Sequence, residues 1–184
     1  MRIYTKSGDE GETGLFLGGR VSKADPRPEA YGWSDSAVSA MGLARALCGD
    51  ERVKAVLLRV QREMFTLGAE LATDPSRYEQ LEKHFAKITP DMVKRLEGTI
   101  DELNAEMELP PEFIVPGGSP GSAALDLART IVRTSERRVV GLYEEGKMAN
   151  PELLRYLNRL SDLLFMLARF EDRALPLELT KEED

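Results

Sequence analysis

Apolar residues return every three or four positions along several separate stretches of this chain, and that period constrains its fold more than any other feature. The last stretch is the plainest: Leu153, Leu154, Leu157, Leu160, Leu164 and Leu167 share one side of a cylinder that turns about 100° per residue. Val53, Val56, Leu57, Val60, Met64, Leu67 and Leu71 define a second face between Glu51 and Ala72. Val38, Met41, Ala44 and Leu47 define another on a segment from about Glu29 to Cys48, and the short "CGDE" connection sets these two segments antiparallel. A further helix opens at "ITPDM", with Thr89 as N-cap, Pro90 at the first helical position and Asp91 in the first turn, and runs through Leu96, Ile100, Leu103 and Met107. The next spans about Ser122 to Glu144, with Leu125, Ala128, Val132, Val139 and Leu142 inward. The last starts at "MANPELL", with Asn150 as N-cap and Pro151 behind it.

Beyond a short extended piece, Arg2 to Thr5, the pattern leaves almost no strand. The expected fold class is all-α: a five-helix bundle in a single domain of 184 residues, 42% of them hydrophobic. Residues 1–28 form a Gly-rich loop too irregular for a regular element, 29–172 the bundle, and 173–184 a tail expected to fray.

A formal net charge of -7 argues against wholesale binding to nucleic acid or an anionic membrane, so any anion site must be focused. Cys48 is the single cysteine, the amino terminus "MRIYTKSGDEG" lacks an apolar signal region, and no apolar run approaches a membrane span. The expectation is a soluble, cytoplasmic protein. One histidine, His84, and one cysteine argue against a zinc site, and the Glu-x-x-His motif of di-iron bundles is missing, so no protein-held metal centre is expected. His84 is read as an exposed helix or loop residue. No G-x-x-x-x-G-K-[ST] occurs, and Gly8, Gly11 and Gly14 do not follow the dinucleotide fingerprint.

Three constellations remain. The amino-terminal loop combines Gly8, Gly11 and Gly14 with hydroxyls at Thr5, Ser7 and Thr13 and ammonium groups at Lys6 and Lys23. Backbone N–H groups, hydroxyls and lysines suit a polyphosphate and its hydrated Mg2+, although such loops are also common as plain connections. In "DLARTIVRTSERRVVGLY", Arg129, Arg133 and Arg137 fall at four-residue steps beside Glu136 and Arg138. Arg129, Arg133 and Arg137 form one stripe, which is either a solvated face, bare or neutralised by Glu136, Asp126 and Asp162, or an anion site. Asn158 and Asp162 share a face of the last helix near Arg155 and Arg159, as a surface stripe or as part of a site.

Taken together, "IYTKSGDEGETGLFLGGRVSK", "EAYGWSD", "FIVPGGS", "ARTIVRTSERRVV" and "LNRLSDLLFMLAR" resemble the PduO-type ATP:cob(I)alamin adenosyltransferases, in order from Ile3 to Arg169. The resemblance implies a homotrimer with ATP and corrinoid bound between neighbouring subunits. It casts Thr5, Lys6, Ser7, Gly8, Thr13, Gly14 and Lys23 as nucleotide contacts, completed by Arg133, Arg137 and Asn158, with Glu136 beside them. Arg129 and Asp35 match an intersubunit salt bridge near the corrinoid, and Phe113 matches the aromatic residue at its lower face. The implied catalytic set is Arg129, Arg133, Arg137 and Asp35. The implied substrates are ATP, with Mg2+, and cob(I)alamin, whose cobalt(I) attacks the ribose C5' and expels triphosphate. A corrinoid reductase and an adenosylcobalamin-dependent client enzyme are the implied partner classes.

This chain departs from the family pattern at several positions. "DSAVS", from Asp35 to Ser39, stands where the family usually has D-E-L-N-S, so Ser36 replaces a glutamate and Val38 an asparagine. Trp33 stands where a small residue is common, and Asp126 in "LDLAR" replaces a histidine. These changes spare the nucleotide half and touch the corrinoid half, which leaves an alternative: a catalytically weakened ATP-binding trimer acting as a nucleotide sensor or partner protein.

Overall fold

Proline and capping side chains start most of the helices. In the computed structural model, which describes residues 3–180, α1 (Pro26–Leu47) is capped by Asp25, which accepts the Arg27 N–H at 2.9 Å. α2 (Glu51–Leu71) is capped by Asp50 and α4 (Pro90–Ala105) by Thr89. α5 (Pro120–Glu144) opens with a reciprocal box in which Ser119 and Ser122 satisfy each other's backbone N–H groups. α6 (Glu152–Glu171) has Pro151 at its cap, and Asn150 Oδ1 accepts the Glu152 N–H at 3.1 Å, doing the capping from one position further back.

The core is the one the periodicity implies for α2, α5 and α6: Leu57, Val60, Leu67, Leu125, Ala128, Val132, Val139, Leu142, Leu157, Leu160, Leu164 and Leu167 are fully buried. α5 packs against both α1 and α6, α4 packs on α6, and α2 on α1. α1 differs from the expected face. Its buried stripe is Ala30, Ser34, Ala37, Met41 and Ala44, whereas Leu47 is 47% exposed. Small side chains let α1 lie close to α5, close enough for the buried Ser34 and Ser135 hydroxyls to share a hydrogen bond of 2.8 Å.

Two further differences concern regular structure. The amino-terminal loop contains an antiparallel ribbon, β1 (Glu12–Gly14) and β2 (Arg20–Ser22), with Thr13 opposite Val21. Its turn carries three successive left-handed residues, Leu17, Gly18 and Gly19, which is how so short a connection reverses the chain. The piece expected to be extended from Arg2 to Thr5 is not a strand where it is described; Arg2 lies outside the described residues. There are also six α-helices among the described residues rather than five: after a 3-10 turn, Pro75–Arg77, comes α3 (Tyr78–His84), seven residues long and buried through Leu81 alone. His84 is exposed at its end, as read from the sequence.

A buried carboxylate fastens this added helix. Glu70, 3% exposed, accepts from the Tyr78 hydroxyl at 2.7 Å, from Asn150 Nδ2 at 2.9 Å and from the Ile88 backbone N–H, joining α2, α3, the entry to α4 and the entry to α6. Burial, then the hydrogen bond to Glu70, pushes the Tyr78 phenol above its ordinary range. Arg27 performs a similar task for α1, donating to the carbonyls of Leu71, Thr73 and Lys147. At the other end, Val115 N–H donates to Glu178 and Thr180 N–H to Phe113, so the segment before α5 is tied to the chain beyond α6. Residues 181–184 lie outside the described residues.

Candidate active site

α4, α5 and α6 enclose a groove of about 440 Å³. Arg129 and Arg133 reach it from α5, Arg159 and Asp162 from α6, and Glu97 and Asp101 from α4. Arg159 is held by Glu97 at 2.9 Å, by Asn158 Oδ1 at 2.8 Å and more distantly by Asp162 at 3.6 Å. Asn158 also donates from Nδ2 to Glu136 Oε1 at 3.0 Å, which bridges α6 to α5 beside the groove. Glu136 and Asp162 are therefore engaged with α6 side chains, and among the described residues neither pairs with the arginine stripe.

The stripe itself divides into paired and unpaired members. Arg129 Nε donates to Asp126 Oδ1 at 2.9 Å, and Arg138 pairs with Glu29 at 3.0 Å. Arg133 and Arg137 are exposed and have no carboxylate partner among the described residues; Arg137 donates only to the Thr134 hydroxyl, at 2.9 Å. Arg133 and Arg137 are one helical turn apart on the helix that carries Glu136, the acceptor of the Asn158 amide; Arg133 lines the groove and Arg137 does not. Within the stripe, Arg129 is thus neutralised by Asp126, while Arg133 and Arg137 present guanidiniums of the kind that binds phosphate or carboxylate.

The amino-terminal residues form a closed unit. Lys23 Nζ donates to the Gly8 carbonyl at 2.7 Å and its N–H to the Gly11 carbonyl at 2.8 Å, while the Thr5 and Ser7 hydroxyls meet at 2.8 Å. A Cβ at Gly8 would lie 3.1 Å from Lys23 Nζ and 3.3 Å from the Glu12 carbonyl, so glycine permits the lysine to fold over the loop. Arg20, which the sequence reading passed over, donates to the Ser7 carbonyl at 2.7 Å and pairs with Glu12. Lys6 adopts a left-handed conformation, φ 63°. Phe16 anchors the ribbon to the bundle through its N–H to the Ala72 carbonyl and an edge-to-face contact with Phe85, 4.9 Å between ring centroids. Among the described residues, no hydrogen bond or ion pair joins Thr5, Lys6, Ser7, Thr13 or Lys23 to Arg133, Arg137 or Asn158.

The corrinoid-side candidates are also separate. Asp35 is exposed on α1 and has no ion pair among the described residues, while Arg129 is taken up by Asp126. Phe113 is 84% exposed, so ordinary core packing is not its role. The Ser36 hydroxyl turns back onto the Gly32 carbonyl, and Val38 is half-buried, its carbonyl accepting from Gln61. The sequence reading also missed Arg169, which pairs with Asp126 from α6; the partnership spans more than forty positions and has no local signature.

The chain matches the family described as cobalamin adenosyltransferase over residues 3–171. It is 43% identical over 173 residues to a corrinoid adenosyltransferase of Bacillus subtilis, covering 92% of this chain and 86% of that one. It is 41% identical over 172 residues to the corrinoid adenosyltransferase PduO of Salmonella typhimurium, covering 94% of this chain and 50% of that longer protein. Among solved structures, a phenylalanine-to-alanine variant of a PduO-type ATP:corrinoid adenosyltransferase from Lactobacillus reuteri, complexed with cobalamin and ATP, superposes with a TM-score of 0.88 at 33% identity, covering 98% of this chain and 100% of that one. An arginine-to-lysine variant complexed with ATP superposes with a TM-score of 0.87 at 33% identity, covering 97% of this chain and 100% of that one. With the match running from the amino-terminal ribbon to the end of α6, the chain belongs to the cobalamin adenosyltransferase family.

Proposed function

We propose that this protein transfers the 5'-deoxyadenosyl group of ATP to cob(I)alamin, forming adenosylcobalamin and releasing triphosphate. The observation that carries the reading is the pair of exposed guanidiniums, Arg133 and Arg137, that have no carboxylate partner among the described residues and share α5 with the Asn158–Glu136 bridge, in a chain of net charge -7. Cobalt(I) is itself the nucleophile, so the protein needs no side-chain nucleophile or general base. Its task is to stabilise the charge that develops on triphosphate as the C5'–O bond breaks, and planar guanidiniums suit phosphate oxygens.

The amino-terminal ribbon supplies the second half of the nucleotide site, with Thr5, Lys6, Ser7, Gly8, Thr13, Gly14 and Lys23 around the triphosphate. No hydrogen bond or ion pair joins these residues to Arg133, Arg137 or Asn158 among the described residues, and the reading places the ribbon of one subunit against α5 and α6 of the next, in a homotrimer with three shared sites. The same arrangement would let Asp35 reach Arg129 across an interface. Among the described residues, no group of three or more His, Cys, Asp or Glu is gathered for a metal. In this reading Mg2+ would enter with the nucleotide, held chiefly by phosphate oxygens and water. Phe113 presents an apolar ring suited to excluding water and an axial ligand from the lower face of the corrinoid.

The test is anaerobic conversion of chemically reduced cobalamin followed by absorbance, with triphosphate release and ATP binding measured on the same preparation. Conversion with stoichiometric triphosphate supports the reading. ATP binding without conversion would refute it, and would leave a nucleotide-binding protein whose positions Ser36 and Val38 had cost it the corrinoid chemistry.

A further inference from the structure

Asp126 is 4% exposed, and each of its carboxylate oxygens serves a different arginine. Oδ1 accepts from Arg129 Nε at 2.9 Å, and Oδ2 accepts from Nη2 of Arg169, which is 3% exposed and reaches across from α6. The Arg169 guanidinium also lies 5.3 Å from the Phe165 ring centroid. A carboxylate this deeply buried is stable only with close cationic partners, and two guanidiniums on one carboxylate leave the cluster net positive. The Arg169 pairing pins α5 to α6 at the level of Arg129.

The geometry at Arg129 is directional. Arg129 lines the groove and Asp126 does not, and held at Nε, Arg129 has no intrachain hydrogen bond at its terminal nitrogens among the described residues. Three carboxylates line the same groove: Glu97 and Asp162 are engaged by Arg159, and Asp101 has no ion pair among the described residues. Without Asp126, the groove's own acids, Asp101 foremost, would draw Arg129 across the opening.

We propose that Asp126 is a positioning residue for the transfer reaction: it fixes the Arg129 guanidinium for the corrinoid side of the site, with Arg169 as the buried anchor that holds Asp126 in place. This rests on the adenosyltransferase reading. Its test is a cycle of Asp126→Asn, Arg129→Ala and both together, with KM for cobalamin and for ATP measured separately and thermal unfolding followed alongside. Loss of one charge-assisted hydrogen bond predicts a cobalamin KM raised about ten-fold in Asp126→Asn, with the ATP KM within about two-fold. In the Arg129→Ala background, Asp126→Asn should leave the cobalamin KM where it is while still lowering the melting temperature, because Arg169 loses its partner in either background.

Arg169→Met with Asp126→Asn removes the unpaired buried cation and keeps the kinetic readout available if the single variant folds poorly; it should show the same rise in cobalamin KM. Effects that multiply instead of merging, or that fall equally on both KM values, would overturn the positioning role. So would an Arg129→Ala protein with normal cobalamin KM. Those results presuppose wild-type turnover; its absence would instead remove the adenosyltransferase reading and this inference with it.

Discussion

Replacing Arg137 by alanine should separate catalysis from folding more cleanly than any other change on the α5 stripe. Arg137 is exposed, and its one hydrogen bond among the described residues, 2.9 Å to Thr134, lies within its own helix. Stability should therefore change by no more than about 0.5 kcal/mol, as for most surface substitutions. Its proposed partner is a triphosphate that gains charge as the C5'–O bond breaks. Removing one preorganised donor at such a centre costs about 2.7–4 kcal/mol of transition-state stabilisation, or roughly 10²–10³ in turnover. The next residue provides the control. Arg138 is already neutralised by Glu29 at 3.0 Å, so Arg138→Ala should lower turnover by about two-fold or less, the effect expected for an exposed ion pair. Arg137→Lys keeps the charge without the planar fork and should fall between wild type and alanine. The assay is anaerobic adenosylcobalamin formation at saturating ATP, with melting temperature and oligomeric state on the same samples. Unchanged turnover in Arg137→Ala, or equal losses in Arg137→Ala and Arg138→Ala, would refute the argument that unpaired guanidiniums mark the triphosphate site.

Three further outcomes follow from the same structure. Phe113→Ala removes a side chain that is 84% exposed, so its melting temperature should stay within experimental scatter while turnover on cobalamin falls; a stability loss without a kinetic one would place Phe113 in folding instead. Glu70→Ala strips the acceptor from three donors, Tyr78, Asn150 and Ile88, and should cost about 3–5 kcal/mol in denaturant unfolding, with α3 released first in hydrogen exchange. Burial, reinforced by Glu171, raises the Cys48 thiol to about 12, and burial raises Tyr78 and Tyr156 as well. Between pH 9 and 12 the unfolded chain releases protons that the folded chain retains, so this stability is complete below pH 9 and declines as pH rises. Native Cys48 should correspondingly resist iodoacetamide at pH 8, and rapid alkylation there would contradict its burial.

What the sequence made legible is what depends on local period and local caps. The faces of α2 and α6 are carried by large aliphatic residues whose spacing has one reading, and Thr89 is a capping residue in the position its chemistry favours. α1 was harder to read because its buried stripe is built from alanine, serine and a single methionine, while its leucines, Leu43 and Leu47, face outward. A hydrophobic pattern follows large residues, whereas close packing against α5 selects small ones. α3 escaped because seven residues with one buried leucine carry too little period to register, and its fastening depends on Glu70 and Asn150, neither of which lies within the helix. The ribbon escaped because three-residue strands offer no alternation to detect.

The site shows the same division. The spacing of Arg129, Arg133 and Arg137 was visible in the sequence, but spacing assigns all three the same standing, and the structure does not. Arg129 differs from the others because Asp126, three positions earlier on α5 and itself paired with Arg169 of α6, holds its guanidinium, whereas Arg133 and Arg137 have no carboxylate partner among the described residues. In sequence, Asp126 reads as a substitution and as one of three acids that could neutralise the arginine stripe. In the fold it occupies the point where a buried charge must be shared between two helices, so a neutral side chain there would leave Arg169 uncompensated in the core. The acid at this position therefore bears on both the stability of the α5–α6 contact and the direction in which Arg129 points.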